Sequence, residues 1–160
     1  MLDLHLHDID QIVSLFGRPT AVTSSGNKAV RSDCAVDHVF TFYDFGDDKM
    51  IVSEGGWSAT NNSPFEMSFQ LVCEKATVIF SPAGLKEYYE DGTVEEVDLS
   101  GCPGPTGWHV ELDNLLSAIQ KGIPADKYLT PAEALDGICI AEAEQKSIDN
   151  NGVKTKVEYK

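Results

Sequence analysis

Between residues 37 and 99 the chain is written as short segments, most of them alternating in polarity and separated by turn signals. Asp37-His38-Val39-Phe40-Thr41-Phe42-Tyr43-Asp44-Phe45 is rich in aromatic and β-branched residues, the pattern of a half-buried strand. Gly46-Asp47-Asp48 turns the chain into a strand beginning at 49–54 and carried on by Gly55-Gly56-Trp57-Ser58. A glycine pair inside a strand marks a bulge or the close approach of another group. Asn61-Asn62-Ser63-Pro64 is a loop, residues 65–73 alternate again, and a turn at Glu74-Lys75 leads into 76–80. Ser81-Pro82-Ala83-Gly84 breaks the chain, and segments 85–89 and 94–99 flank Asp91-Gly92, a strong hairpin signal. Strands joined by connections this short pair antiparallel, because a parallel pair needs a crossover of a dozen or more residues. The middle of the chain is therefore an antiparallel meander.

Residues 20–24 read as a further strand, Ser25-Gly26-Asn27 as a turn, and 28–37 as polar and ambiguous. The Pro/Gly-rich stretch 100–107 is a connector that ends the meander. Leu112, Leu115, Leu116 and Ile119 then recur at helical spacing up to Lys121-Gly122, with Pro124 beyond. Thr130-Pro131-Ala132-Glu133 is a capping box with proline at the first helical position. It opens an Ala-rich helix to about Asp149, closed by Asn150-Asn151-Gly152 and followed by a strand at 153–157. With the amino-terminal segment helical, the order is helix, meander, two helices, strand. That order predicts one α+β domain over 1–160, a largely antiparallel open β-sheet with helices packed on one face. The other face must be solvated or covered by a partner. Apolar side chains on both faces of 39–45 and 65–73 point to oligomerisation through that sheet.

The chemistry concentrates at the start of the chain. Asp3-Leu4-His5-Leu6-His7-Asp8-Ile9-Asp10 puts three carboxylates and two imidazoles in one short segment. Read as a helix, Ile9, Ile12, Val13 and Phe16 form an apolar stripe that His5 joins, and Asp3, His7, Asp10 and Ser14 fall on another face. Gly17-Arg18-Pro19 is then a helix stop. Read as a strand, Asp3, His5 and His7 share one face, a pattern suited to zinc. A strand turning helical near His7 is a third reading. His5 reads as a core histidine, Asp8 and Asp10 as complements to the helix dipole, and Trp57 as packing. His38 and His109 stand alone and receive no role.

Twelve basic against 26 acidic residues give a net charge of −14, which argues against nucleic acid or an anionic membrane as partner. No apolar run is long enough for a membrane helix, and the first residues lack the basic start and apolar core of a secretion signal. Cys34, Cys73, Cys102 and Cys139 show no metal-ligand spacing and read as free thiols of a cytoplasmic protein, with Cys139 in a helical core.

The ordered set of motifs resembles the C-terminal domain of the Gfo/Idh/MocA oxidoreductases, the glucose-fructose oxidoreductase and inositol dehydrogenase family. Asp3, His7 and Asp10 match its Asp-x-x-x-His pattern with a second Asp three residues on. Leu15-Phe16-Gly17-Arg18-Pro19 is similar to its LFG-x-P segment, and residues 111–122 to its penultimate helix. Thr130–Leu135, Ala141-Glu142-Ala143, Ser147, Gly152 and Val153 match its closing helix and strand. Where the family often has glycine between the Asp and the His, this chain has His5.

The resemblance implies a dihydrodipicolinate-reductase-like fold that binds a sugar, polyol or related hydroxy compound and forms homo-oligomers through its open sheet. It implies that His7 exchanges the proton of the reacting hydroxyl and that Asp3 orients it or hydrogen-bonds the substrate; beside them, Asp10, and Trp57 as a wall of the substrate pocket, are the candidate substrate contacts. NAD or NADP and a catalytic lysine would come from a preceding Rossmann domain, with no cofactor or metal on this chain alone. The sequence has neither G-x-G-x-x-G nor Glu-Lys-Pro; Gly101, Gly104 and Gly107 have the wrong spacing, and Glu74-Lys75-Ala76 only echoes the second motif. The expectation is half of an enzyme, inactive in isolation: a truncated gene, an excised domain or a proteolytic product.

Two rivals are a non-catalytic binding or oligomerisation module of the same fold, and a PHP-type metal phosphoesterase. The second rests on Met1-Leu2-Asp3-Leu4-His5-Leu6-His7, but only His38 and His109 remain as further histidine ligands.

Overall fold

The computed structural model describes residues 3–28, 35–101, 106–124 and 130–160. Met1, Leu2, Cys34, Cys102, most of the polar stretch after Lys28 and the centre of the Pro/Gly connector lie outside the described residues. The elements are α1 (His5–Phe16), β1 (Ala21–Lys28), β2 (Val36–Asp44), β3 (Ile51–Gly56), β4 (Phe69–Val72), β5 (Ala76–Ser81), β6 (Gly84–Tyr89), β7 (Val94–Glu96), α2 (Gly107–Lys121), α3 (Pro131–Asp149) and β8 (Thr155–Lys156). The α+β class and the antiparallel pairing hold. The described strands form two four-stranded sheets, ordered β3-β2-β1-β8 and β4-β5-β6-β7. They belong to two compact units, residues 1–61 with 125–160, and residues 62–124.

In the first unit, period-2 alternation along β2 sorts its side chains. Val39, Thr41 and Tyr43 are buried, while Phe40 and Phe42 stay 49% and 40% exposed. Ile9 of α1, Val22 of β1, Tyr43, and Cys139, Ile140, Ala141 and Ala143 of α3 form the core. Small residues let the helices close: a Cβ on Gly137 of α3 would stand 3.1 Å from Leu6 Cδ1. The Thr130 hydroxyl accepts from the Glu133 amide while the Glu133 carboxylate accepts from the Thr130 amide, so the capping box forms as the sequence requires.

Both ends of α1 are tied to α3. Gly17, at φ 84°, ends the helix, and its amide donates to Val13 O. Arg18 Nε then donates to buried Asp136 of α3 at 2.6 Å, and Arg18 Cζ lies 5.0 Å from the Tyr159 ring centre. The Tyr159 hydroxyl donates to Pro19 O at 2.8 Å. At the sheet, Ser147 Oγ of α3 accepts from the Ser24 amide and donates to Val153 O, so these buried polar groups are paired.

The sequence expectation fails at Ser25-Gly26-Asn27, which is strand rather than turn and pairs with Phe40, Val39 and His38 of β2. Gly26 serves close packing: a Cβ there would meet Val36 Cγ1 at 2.7 Å and Ile148 Cδ1 at 2.8 Å. In the second unit β4 is shorter than the alternation implied, and exposed Phe65 and Met67 precede it outside any strand. The Asp91-Gly92 turn forms, with Gly92 at φ 86° and the Thr93 amide donating to Asp91 Oδ1. α2 ends where expected, on left-handed Gly122.

Candidate functional site

The amino-terminal segment is a helix, which overturns the strand reading. His5 and His7 lie about 200° apart around the axis, so Asp3, His5 and His7 cannot line one face as zinc ligands. Leu4 is itself in helical conformation (φ −69°, ψ −51°), so Asp3 stands about one turn before His7. Asp3, His7 and Asp10 are all exposed. Trp57, 54% exposed, follows β3 and borders a small cavity of about 10 Å³ together with Leu4, His5, Asp37 and His38. The fold thus brings Trp57 to the opening turn of α1.

Behind that turn lies a buried polar cluster that the sequence reading missed. His5 is 2% exposed and Glu144 of α3 is fully buried. The His5 ring faces Asp8 Oδ2 through Nδ1 at 3.1 Å and Glu144 Oε1 through Nε2 at 3.3 Å. The Tyr43 hydroxyl donates to the same Glu144 oxygen at 2.9 Å and lies 2.8 Å from Ser53 Oγ. Glu144 Oε2 has no partner among the described residues. Placing His5 in the core was right. The unread signal was Glu144 itself, an acid on the stripe of α3 that buries Asp136, Ile140 and Ser147.

With a carboxylate at each ring nitrogen, both nitrogens must carry a proton for both contacts to be hydrogen bonds, so the ring is an imidazolium. Burial alone pushes His5 down, but the hydrogen bonds and charges of Asp8 and Glu144 outweigh it and raise its pKa from 6.5 to about 9. Burial first, and then the Glu144 charge, drive Tyr43 far above its ordinary value, so it remains a donor. His5 therefore lends stability that is complete below pH 6.5 and lost as pH rises through about 9, roughly 3 kcal/mol at most. Urea unfolding at pH 7 and pH 10 should show a drop in midpoint that His5→Gln lacks; equal drops in both proteins would contradict this.

The glycine pair of β3 marks close approach. A Cβ on Gly55 would meet His5 Nδ1 at 2.7 Å and Asp8 Oδ2 at 2.8 Å, and one on Gly56 would meet Asp37 O at 2.6 Å. Gly55→Ala should therefore cost about 1–3 kcal/mol, read as a lower thermal midpoint. An unchanged midpoint would mean that the His5–Asp8 pair shifts freely. His38 is not alone either: its ring contacts Ser58 Oγ at 2.7 Å and Glu54 Oε1 at 2.9 Å.

Residues 1–79 match the family model described as the GFO/IDH/MocA C-terminal domain. Comparison with curated protein sequences gives no match. Levoglucosan dehydrogenase in complex with NADH and levoglucosan shares the fold at a TM-score of 0.76 and 16% identity, over 99% of this chain and 50% of that one. The WlbA dehydrogenase from Bordetella pertussis, in complex with NADH and UDP-GlcNAcA, gives 0.65 and 18%, over 97% and 44%. An oxidoreductase from Agrobacterium radiobacter, in complex with NAD+, L-tartaric acid and magnesium, gives 0.69 and 16%, over 97% and 48%. The chain spans about half the length of these solved structures. The sequence match covers residues 1–79, just under half of the chain, and nearly the whole chain shares its α+β fold with solved oxidoreductases, so it is similar to a GFO/IDH/MocA C-terminal domain.

Proposed function

We infer that residues 1–160 are the substrate-binding and oligomerisation domain of a cytoplasmic NAD(P)-dependent oxidoreductase acting on a sugar, polyol or related hydroxy compound. The observation that carries this is the division of labour in the first turn of α1. His5 and Asp8 hold each other and His5 reaches Glu144, while Asp3 and His7 stand exposed one turn apart. An exposed imidazole beside a carboxylate suits removal of a hydroxyl proton at neutral pH. His7 takes the proton from the substrate oxygen, Asp3 orients the ring, and Asp10 and Trp57 contact substrate hydroxyls. NAD(P) would supply the hydride acceptor. The residues present do not fit that cofactor, because the sequence has no dinucleotide fingerprint, so a separate Rossmann domain would hold it and this chain alone would be inactive. Levoglucosan dehydrogenase, similar in fold and solved with NADH and either levoglucosan or L-sorbose, supports this substrate and cofactor class.

A second reading, a non-catalytic binding or oligomerisation module, is favoured by one observation. Phe40, Phe42 and Val52 lie exposed on the uncovered sheet face around a groove of about 250 Å³. The DNA upstream of the Met1 codon, over roughly 100–150 residues, separates the two readings. An open frame through G-x-G-x-x-G and Glu-Lys-Pro is expected. A stop codon and a ribosome-binding site would overturn the enzyme reading in favour of the module.

A further inference from the structure

We propose that His5 is a positioning residue: its ring, held between Glu144 of α3 and Asp8, fixes the rotation of the opening turn of α1 and so the aim of Asp3 and His7. This rests on the oxidoreductase reading for its functional meaning, but not for its geometry.

Three observations carry it. First, no described side chain caps α1, and the N-cap position is taken by Leu4. The leading amides of a helix lack intrahelical partners, and an uncapped end frays. Second, the buried polar tether of this turn to the rest of the fold runs through His5, to Glu144 on α3, with the Tyr43 hydroxyl 3.5 Å away. An imidazolium in the first turn opposes the helix dipole, so its presence there requires the two carboxylates that flank it. Glu144, with one oxygen bare, likewise requires the cation. Third, Gly55 leaves the space that the His5–Asp8 pair fills. His5 and His7 sit two residues apart on one hydrogen-bonded turn. A rotation that frees His5 from Glu144 therefore swings His7 through the same angle.

The groups facing His5 are Asp8 of α1, Glu144 of α3, and Tyr43 of β2, with Asp37 and His38 across the small cavity. From β3 come Ser53, bonded to Tyr43, and Gly55, neither charged, while Glu54 is engaged with His38.

The test needs no activity. In this chain the imidazole ¹⁵N signals of His5 report its protonation, and amide exchange at Ile9 and Asp10 reports the first turn. Dividing by exchange at Val13 and Ser14 removes the intrinsic base catalysis. The exchange ratio should rise about tenfold across the pH range in which the His5 ring loses its proton. The step should be missing in His5→Gln. Glu144→Gln should move the His5 titration at least about one unit lower. A ratio that stays flat through the titration, the same step in His5→Gln, or an unmoved titration in Glu144→Gln would each overturn the proposal. If His5→Gln does not fold, the native titration and Glu144→Gln still decide. A failure of the oxidoreductase reading is seen in the upstream DNA and leaves these measurements untouched.

Discussion

His7→Gln, made in the complete enzyme proposed above, is expected to lower kcat by about a hundred- to ten-thousand-fold with little change in KM. Glutamine keeps the length and polarity of the side chain but cannot take up a proton near neutral pH. The structure makes this a clean experiment, because His7 is exposed and its loss removes no core contact. Asp3→Asn should cost less, since in the proposed mechanism Asp3 orients the base and is not the base itself. Steady-state turnover of a polyol and sugar panel with NAD+ and NADP+ measures both. If His7→Gln retains full turnover, the imidazole is not the base, and Asp3 and Asp10 become the groups to test on that face.

Glu144→Ala is expected to be the most destabilising single change, by about 3–5 kcal/mol, because it leaves the His5 cation buried with one partner and the Tyr43 hydroxyl without its acceptor. For a chain of this length that is roughly a 10 °C fall in the thermal midpoint, measured by calorimetry at pH 7. The double change His5→Leu with Glu144→Leu should recover most of the loss. Apolar residues of similar volume can replace a buried ion pair at little cost, whereas half of a pair cannot stand alone. A Glu144→Ala protein as stable as the parent would mean that water enters and satisfies the ring.

The two predictions concern opposite faces of the opening turn of α1, His7 on one and His5, the partner of Glu144, on the other, and the sequence treated those faces differently. Asp3, His7 and Asp10 were visible because their spacing matches both a helical period and a family pattern. His5 was placed in the core by the same periodicity. Its partners were not visible: Glu144 is 139 residues away and Tyr43 is 38 residues away, and no local rule links them. The β3 glycines signalled a close approach without saying what approached. Gly26 carried the same composition signal as a turn yet lies in the middle of β1, because glycine serves tight packing as readily as reversal.

The sequence by itself determined the local structure and the chemical types at the start of the chain. Periodicity, the capping box and the hairpin turns are set by neighbours within a few residues, so they survive without tertiary context. Only the tertiary structure decided that the first segment is a helix rather than a strand, because both periods fit its polarity and packing against β3 and α3 selects one. It alone decided what the buried imidazole pairs with. Burial and pairing are properties of surfaces brought together from distant parts of the chain, and the protonation of His5 follows from that assembly.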